Sequence, residues 1–190
     1  YLGEVINNAT QLNPFLMGVT VAVLVGCALT LPISSVAICV MLGIDGLAAG
    51  AATAGCCAQM IGFAVISYKD NGVGGLLSQG LGTSMLQIGN IARNPAIWIA
   101  PTLTAAILGP VSTMLLGMTN NALGAGMGTA GLVGPLATYA TMAETSESTN
   151  ILIAKIIGLH FIAPALLSLS INLLITKLGW IKPGDMKLND

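Results

Sequence analysis

Three long stretches, Phe15 to Ile44, Gly46 to Tyr68 and Asn94 to Ala143, contain no Asp, Glu, Lys or Arg. Each can hold at least one apolar helix of about 20 residues, the length that spans a bilayer. Pro14 opens the first, since proline is favoured in the first turn of a helix. That run is broken at Thr30-Leu31-Pro32-Ile33-Ser34-Ser35, where proline removes a backbone hydrogen bond and the hydroxyls can satisfy the freed carbonyls. The pattern predicts one kinked or interrupted crossing. Leu47 to Ile66 is crowded with Ala, Gly, Thr and Cys as far as Ala58, so its backbone can approach other helices closely and it is expected inside the bundle.

The polar positions divide the rest. Between Asn71 and Ala92 there is no charge, yet Gln79, Thr83, Gln87 and Asn90 recur at spacings of four, four and three, with Leu77, Leu81, Met85 and Ile88 on another face. This is a helical period with an uncharged polar stripe. Lys69 precedes the stretch and Arg93 follows it, which places both ends in the cytoplasm and makes the stretch re-entrant or interfacial. A further crossing, Pro95 to Met118, carries Pro110 in mid-run, followed by Ser112 and Thr113. The last apolar run, Ile151 to Thr176, holds Lys155, His160 and Pro164 and leads into Lys177, Lys182 and Lys187. These three lysines put the tail in the cytoplasm, and counting back makes Thr119 to Ala143 a re-entrant excursion from the outer side, whereas its echo of Leu47 to Ile66, a full crossing, would make it span; the lysine bias is the preferred guide. The expected fold is all-α: a polytopic transmembrane bundle of four crossings and two re-entrant segments, with interrupted helices, in one domain spanning residues 1–190. Tyr1 to Asn13 reads as interfacial.

An internal echo supports a duplication. Leu123 to Gly131, Leu-Gly-Ala-Gly-Met-Gly-Thr-Ala-Gly, matches Leu47 to Gly55, Leu-Ala-Ala-Gly-Ala-Ala-Thr-Ala-Gly, at six of nine positions. Asn13-Pro14 pairs with Asn94-Pro95 and Pro32-Ile33-Ser34-Ser35 with Pro110-Val111-Ser112-Thr113, at offsets of 81, 78 and, for the echo itself, 76. The repeat units are expected at about 13–70 and 94–143. Paired apolar segments interrupted by Gly and Pro at matching places point to a transport pathway. Pro32, Pro110, Gly126, Gly128 and Gly131 are the candidate hinges.

Composition agrees with a bilayer: 55% hydrophobic and 7% charged residues, a mean hydropathy of +0.88, against about 25% charged in soluble domains. No basic patch suggests nucleic acid. Cys27, Cys39, Cys56 and Cys57 lie in apolar runs and make no CxxC pair, so they read as small buried thiols, with no metal site. The chain opens on Tyr1 without a basic, apolar leader and reads as a fragment, or the remainder, of a longer protein.

Gly126-Met127-Gly128-Thr129-Ala130-Gly131 spells GxGxxG, but a dinucleotide site needs a preceding strand and an acidic residue about 20 positions on, and neither is present. No cofactor is expected. The same glycines serve either an unwound loop lining a polar cavity or close helix packing. Asn120 and Asn121 beside them can donate to and accept from sugar hydroxyls. The stripe Gln79, Thr83, Gln87, Asn90 either faces a solute or lies at the headgroups, although surface helices usually carry Lys and Arg there. His160, the single histidine, is a functional candidate by its depth or a neutral packing residue. Glu144 and Glu147 sit in a hydrophilic loop beside the Gly-rich element, where Glu144 is a candidate ligand contact. No spacing suggests a nucleophile and base, so catalytic residues are not expected.

Pro32 to Ile38, Ile44-Asp45-Gly46-Leu47-Ala48-Ala49-Gly50-Ala51-Ala52 and Gly131-Leu132-Val133-Gly134-Pro135 together resemble an EIIC-like family. This is the membrane-component family of the bacterial phosphotransferase system that includes the perfringolysin-regulator-type proteins. The resemblance covers about Asn13 to Ala143 and implies a multi-pass, homo-oligomeric, permease-like protein of the bacterial inner membrane. It would bind and translocate a sugar or similar small polar solute, which a separate cytoplasmic phosphotransferase component phosphorylates. The glutamate-bearing substrate motif of well-understood sugar permeases has no match here. A solute-binding membrane sensor that does not transport is the second reading, and a structural subunit the third.

Overall fold

The computed structural model describes residues 13–143 and 148–188, and within them the chain is helical without a strand. The segment before Asn13 and the acidic loop with Glu144 and Glu147 lie outside the described residues. α1 spans Pro14–Thr30. Asn13 caps it, its Oδ1 accepting the Leu16 N–H at 2.9 Å, and Pro14 fills the first turn, where a missing N–H costs nothing. At the other end the chain turns through Leu31 to Ser34 and enters α2, Ser35–Met41, capped by the Ser34 hydroxyl. Cys39 and Ile44 cluster with Met17 and Val21. α2 therefore runs back towards the start of α1, so the break at Pro32 reverses the chain rather than merely kinking it.

α3, Gly46–Ile66, is the axis of the molecule: 89% of its most apolar window is buried. Small residues make this burial possible. A methyl on Gly55 would collide with the Ala22 carbonyl of α1, and one on Gly50 with the Met118 carbonyl. Pro95–Trp98, α6 (Ile99–Pro110) and a π-helical turn at Val111–Leu115 form one continuous helical rod. It packs on α1 where Gly18 meets Gly109. In lipid, such backbone proximity replaces the hydrophobic effect as the source of helix association. Asn94 caps this rod as Asn13 caps α1.

Two helical hairpins fill the spaces around α3. In the first, α4 (Tyr68–Leu77) leads through a π-helical turn at Ser78–Gly82 to a reversal at Thr83, and Ser84–Gln87 with α5 (Ile88–Arg93) returns. Gln87 Nε2 donates across it to Gln79 Oε1 at 2.9 Å. In the second, α7 (Ala122–Met127) reverses through Gly128–Leu132 into α8, Val133–Met142. Asn120 Nδ2 spans its base, donating to the Gly134 carbonyl and Thr138 Oγ1. The echo noted in the sequence thus stands on two shapes of equal length, a straight helix and a hairpin. Gly128, at φ +53°, occupies the position of Ala52 in the echo, and a Cβ disfavours that left-handed conformation. Alanine keeps the first copy straight; glycine lets the second fold back. An isolated antiparallel bridge joins Gly46 to Asn120, just ahead of the two echo segments.

The last rod runs through α9 (Thr149–Ile157), a π-helical turn at Gly158–Ile162 and α10 (Ala163–Lys177). It is peripheral, with 33% of its apolar window buried and Leu166, Leu173 and Leu174 facing outwards. Three helices among the described residues are long and apolar enough to cross a bilayer: Gly46–Ile66, Pro95–Leu115 and Thr149–Lys177; α1, at 17 residues, is shorter. After α10 the tail turns back, and Asp70 accepts the N–H groups of Gly184 and Met186. Lys69, Arg93, Lys177, Lys182 and Lys187 consequently gather at one end of the bundle.

Candidate functional site

The two hairpins enter from opposite ends and their tips touch. Thr129 Oγ1 donates to the Gly80 carbonyl at 2.6 Å. Gly128 lies against Cys56, the midpoint of α3, so the tips meet halfway along this buried helix. Several tip residues are open: Leu81 is 42% and Leu132 40% exposed, and Gly82 and Gly131 are exposed too. Leu132 stands at φ +62° without being glycine, a strained conformation of the kind that clusters at ligand sites. Non-helical backbone at this depth persists only where it lines a cavity or is covered by protein.

Behind the tips a polar network is buried around Gln59. Its Oε1 accepts from Trp98 Nε1 at 2.9 Å and from Thr30 Oγ1 at 3.2 Å; its Nε2 donates to Thr102 Oγ1 at 3.2 Å and contacts Cys27 Sγ at 3.9 Å. Indole N–H can only donate, which fixes the amide's orientation. Thr30 then spends its one hydroxyl proton on Gln59, so in the 2.8 Å contact between Thr30 and Ser84 the Ser84 hydroxyl is the donor. The network ties the first hairpin, just past its tip, to α1, α3 and the rod beginning at Pro95. Every hydrogen-bonding position of Gln59 is occupied, which makes it a positioning group.

The polar stripe is split by the structure. Thr83 is half-buried at the tip, its hydroxyl accepting the Met85 N–H. Gln79, Gln87 and Asn90 are buried as a chain of amides. Gln79 Nε2 donates to Ser67 Oγ, Gln87 Nε2 to Gln79 Oε1 and to the Met186 carbonyl, and Asn90 Nδ2 to Gln87 Oε1 and to the Lys187 carbonyl. Asn71 completes the clasp, donating to Met186 and accepting from Leu188. Gln87→Ala should leave Gln79, Asn90 and Met186 each short of a partner. The expected result is about 1–3 kcal/mol lost from the clasp, read as faster protease cleavage within residues 182–188; unchanged cleavage would show that the amides do not hold the tail.

Asn120 is fully buried, and its Nδ2 also reaches Thr53 Oγ1 at 2.8 Å. Asn121 caps α7 by accepting the Gly124 N–H. Gly126 packs on Val36, whereas Gly131, at φ +51°, has open space around it. Pro32 stands in the reversal between α1 and α2, and Pro110 ends α6. His160 is fully buried within the π-helical turn of the last rod, and neither ring nitrogen has a hydrogen-bond partner; no hydrogen bond joins it to the tips. Among the described residues no cluster of His, Cys, Asp or Glu can hold a metal.

No motif marks Gln59, Ser84, Trp98 or Thr102, whereas Thr30 belongs to the break at Pro32 and Thr129 to the Gly-rich stretch. One signal was present: Gln59 is the lone amide between Gly46 and Tyr68.

Long apolar rods around a small-residue axis, with two hairpins meeting inside, define an all-α membrane bundle with interrupted helices. The chain belongs to the EIIC family of the phosphotransferase system, whose family model, "Phosphotransferase system, EIIC", matches residues 1–188. It is thereby a membrane component of that transport system. No curated protein and no solved structure matches it.

Proposed function

We propose that this protein is the permease component of a sugar phosphotransferase system in a bacterial inner membrane. It binds a sugar or similar polyhydroxylated solute where the hairpin tips meet, and a cytoplasmic partner carries out the phosphorylation. The observation that carries this reading is the interrupted backbone at the meeting point, with Thr83 extended after the π-helical turn and the exposed Gly131 and Leu132 at positive φ. The Thr83 and Leu132 N–H groups bond within their own hairpins, and lipid offers no partner to the tip groups that remain. Thr83 is the stripe residue assigned to the solute. Gln79, Gln87, Asn90, Asn120 and Asn121 are assigned to holding the two hairpins in shape. Five of the six basic residues lie at one end of the bundle, which by the positive-inside rule is cytoplasmic.

Uptake of a labelled sugar panel by vesicles carrying the full-length protein, with and without the soluble phosphotransferase components, tests the proposal. The expected result is accumulation that depends on those components. Solute binding with no uptake in either condition would overturn it in favour of a membrane sensor.

A further inference from the structure

A cavity of about 560 Å³ opens at the basic end, between the first hairpin and the C-terminal tail. Two chemistries meet in its wall. Arg93, the chain's single arginine, and Lys187 are both exposed to it, and neither side chain has a hydrogen-bond or ion-pair partner among the described residues. Asp70 and Asn90 line it as well. Asn90 spends its N–H groups on Gln87 and Lys187, which leaves its Oδ1 to accept. Asp70 takes two backbone N–H groups from the tail and keeps further acceptor capacity, because a carboxylate accepts about four hydrogen bonds. At Gly74 and Gly89 a Cβ would meet nothing within 4 Å, so a ligand can lie against the backbone there.

We propose that this cavity binds a phosphomonoester bearing hydroxyl groups. Arg93 and Lys187 take the phosphoryl oxygens, and Asp70 and Asn90 Oδ1 accept from the hydroxyls. The guanidinium fork matches two phosphoryl oxygens at once, and the carboxylate gives the site a preference for a polyhydroxylated ester over bare phosphate. A topology anchor alone would need neither the cavity nor the carboxylate. Lys182, which lines a separate apolar groove, supplies the contrast. The proposal rests on the permease reading, in which the ligand is the phosphorylated solute released on the cytoplasmic side. The tail builds part of the wall, so the site exists only while the amide clasp is closed.

The test is equilibrium binding to the full-length protein in phosphatidylcholine nanodiscs. The probes are glucose 6-phosphate, fructose 1-phosphate and mannitol 1-phosphate, each beside its unphosphorylated parent and inorganic phosphate. At least one ester is expected to bind more tightly than its parent and than phosphate. Arg93→Gln should weaken that binding about tenfold or more, Arg93→Lys less, and Lys182→Gln not at all. Equal binding by wild type and Arg93→Gln, or no binding of any ester, overturns the proposal. So does a response to phosphatidic acid in the nanodisc with none to the soluble esters, which would assign Arg93 to a lipid headgroup. Binding needs no turnover: ester binding without uptake would defeat the permease reading alone, and uptake without ester binding would defeat this site alone.

Discussion

Gly128→Val is expected to abolish uptake and to cost the fold about 2–5 kcal/mol, the sum of about 1–2 for a Cβ in the left-handed region and about 1–3 for overpacking. The residue stands at φ +53° with Cys56 against it, where a Cβ would come within 2.8 Å of the cysteine's own Cβ and 2.9 Å of its carbonyl carbon. The second hairpin cannot relieve this by moving away, because Thr129 beside it is bonded to Gly80. Gly131→Ala provides the comparison. There φ is +51° but the space is open, so only the conformational term of about 1–2 kcal/mol applies. Thermal unfolding in detergent alongside vesicle uptake measures both variants. Equal losses for the two would mean that contact with α3 contributes nothing at Gly128.

The second large effect is expected at Gln59. Gln59→Leu keeps the volume and removes contacts to Thr30, Trp98, Thr102 and Cys27. Interhelical hydrogen bonds within membranes average about 0.6 kcal/mol each, so the stability loss should be about 2 kcal/mol. Uptake should fall much further than that loss implies. Ser84 is held through Thr30, so removing the amide frees the returning arm of the first hairpin and with it the tip. A stable variant that transports at the wild-type rate would show that the network does not position the tip.

How much of this was legible in the sequence depended on whether the physical cause was local. Asn13-Pro14 and Asn94-Pro95 begin helices because cap and proline act within one turn. The small residues of Gly46–Ile66 lead to burial because close approach needs no particular partner. The stripe from Gln79 to Asn90 exposed a polar helical face, but the groups facing Gln87 and Asn90 are backbone carbonyls of Met186 and Lys187. Every residue has a carbonyl, so such a partner leaves no mark in sequence. The reversal after Pro32 was hidden for a similar reason: proline interrupts a helix but does not set the direction in which the chain leaves. Here that direction follows from Ser35 donating to the Gly126 carbonyl, 91 positions away. Gln59 was visible as an isolated amide, yet its four partners are scattered from Cys27 to Thr102.

The clasp also orders the events of biosynthesis. Gln87 leaves the ribosome 99 residues before the Met186 carbonyl that satisfies it. Throughout that interval the Gln87 and Asn90 amides lack the tail carbonyls that satisfy them. The clasp therefore closes only after the tail has been made, and a chain truncated before Gly184 would complete its three long spans while leaving this hairpin unlatched.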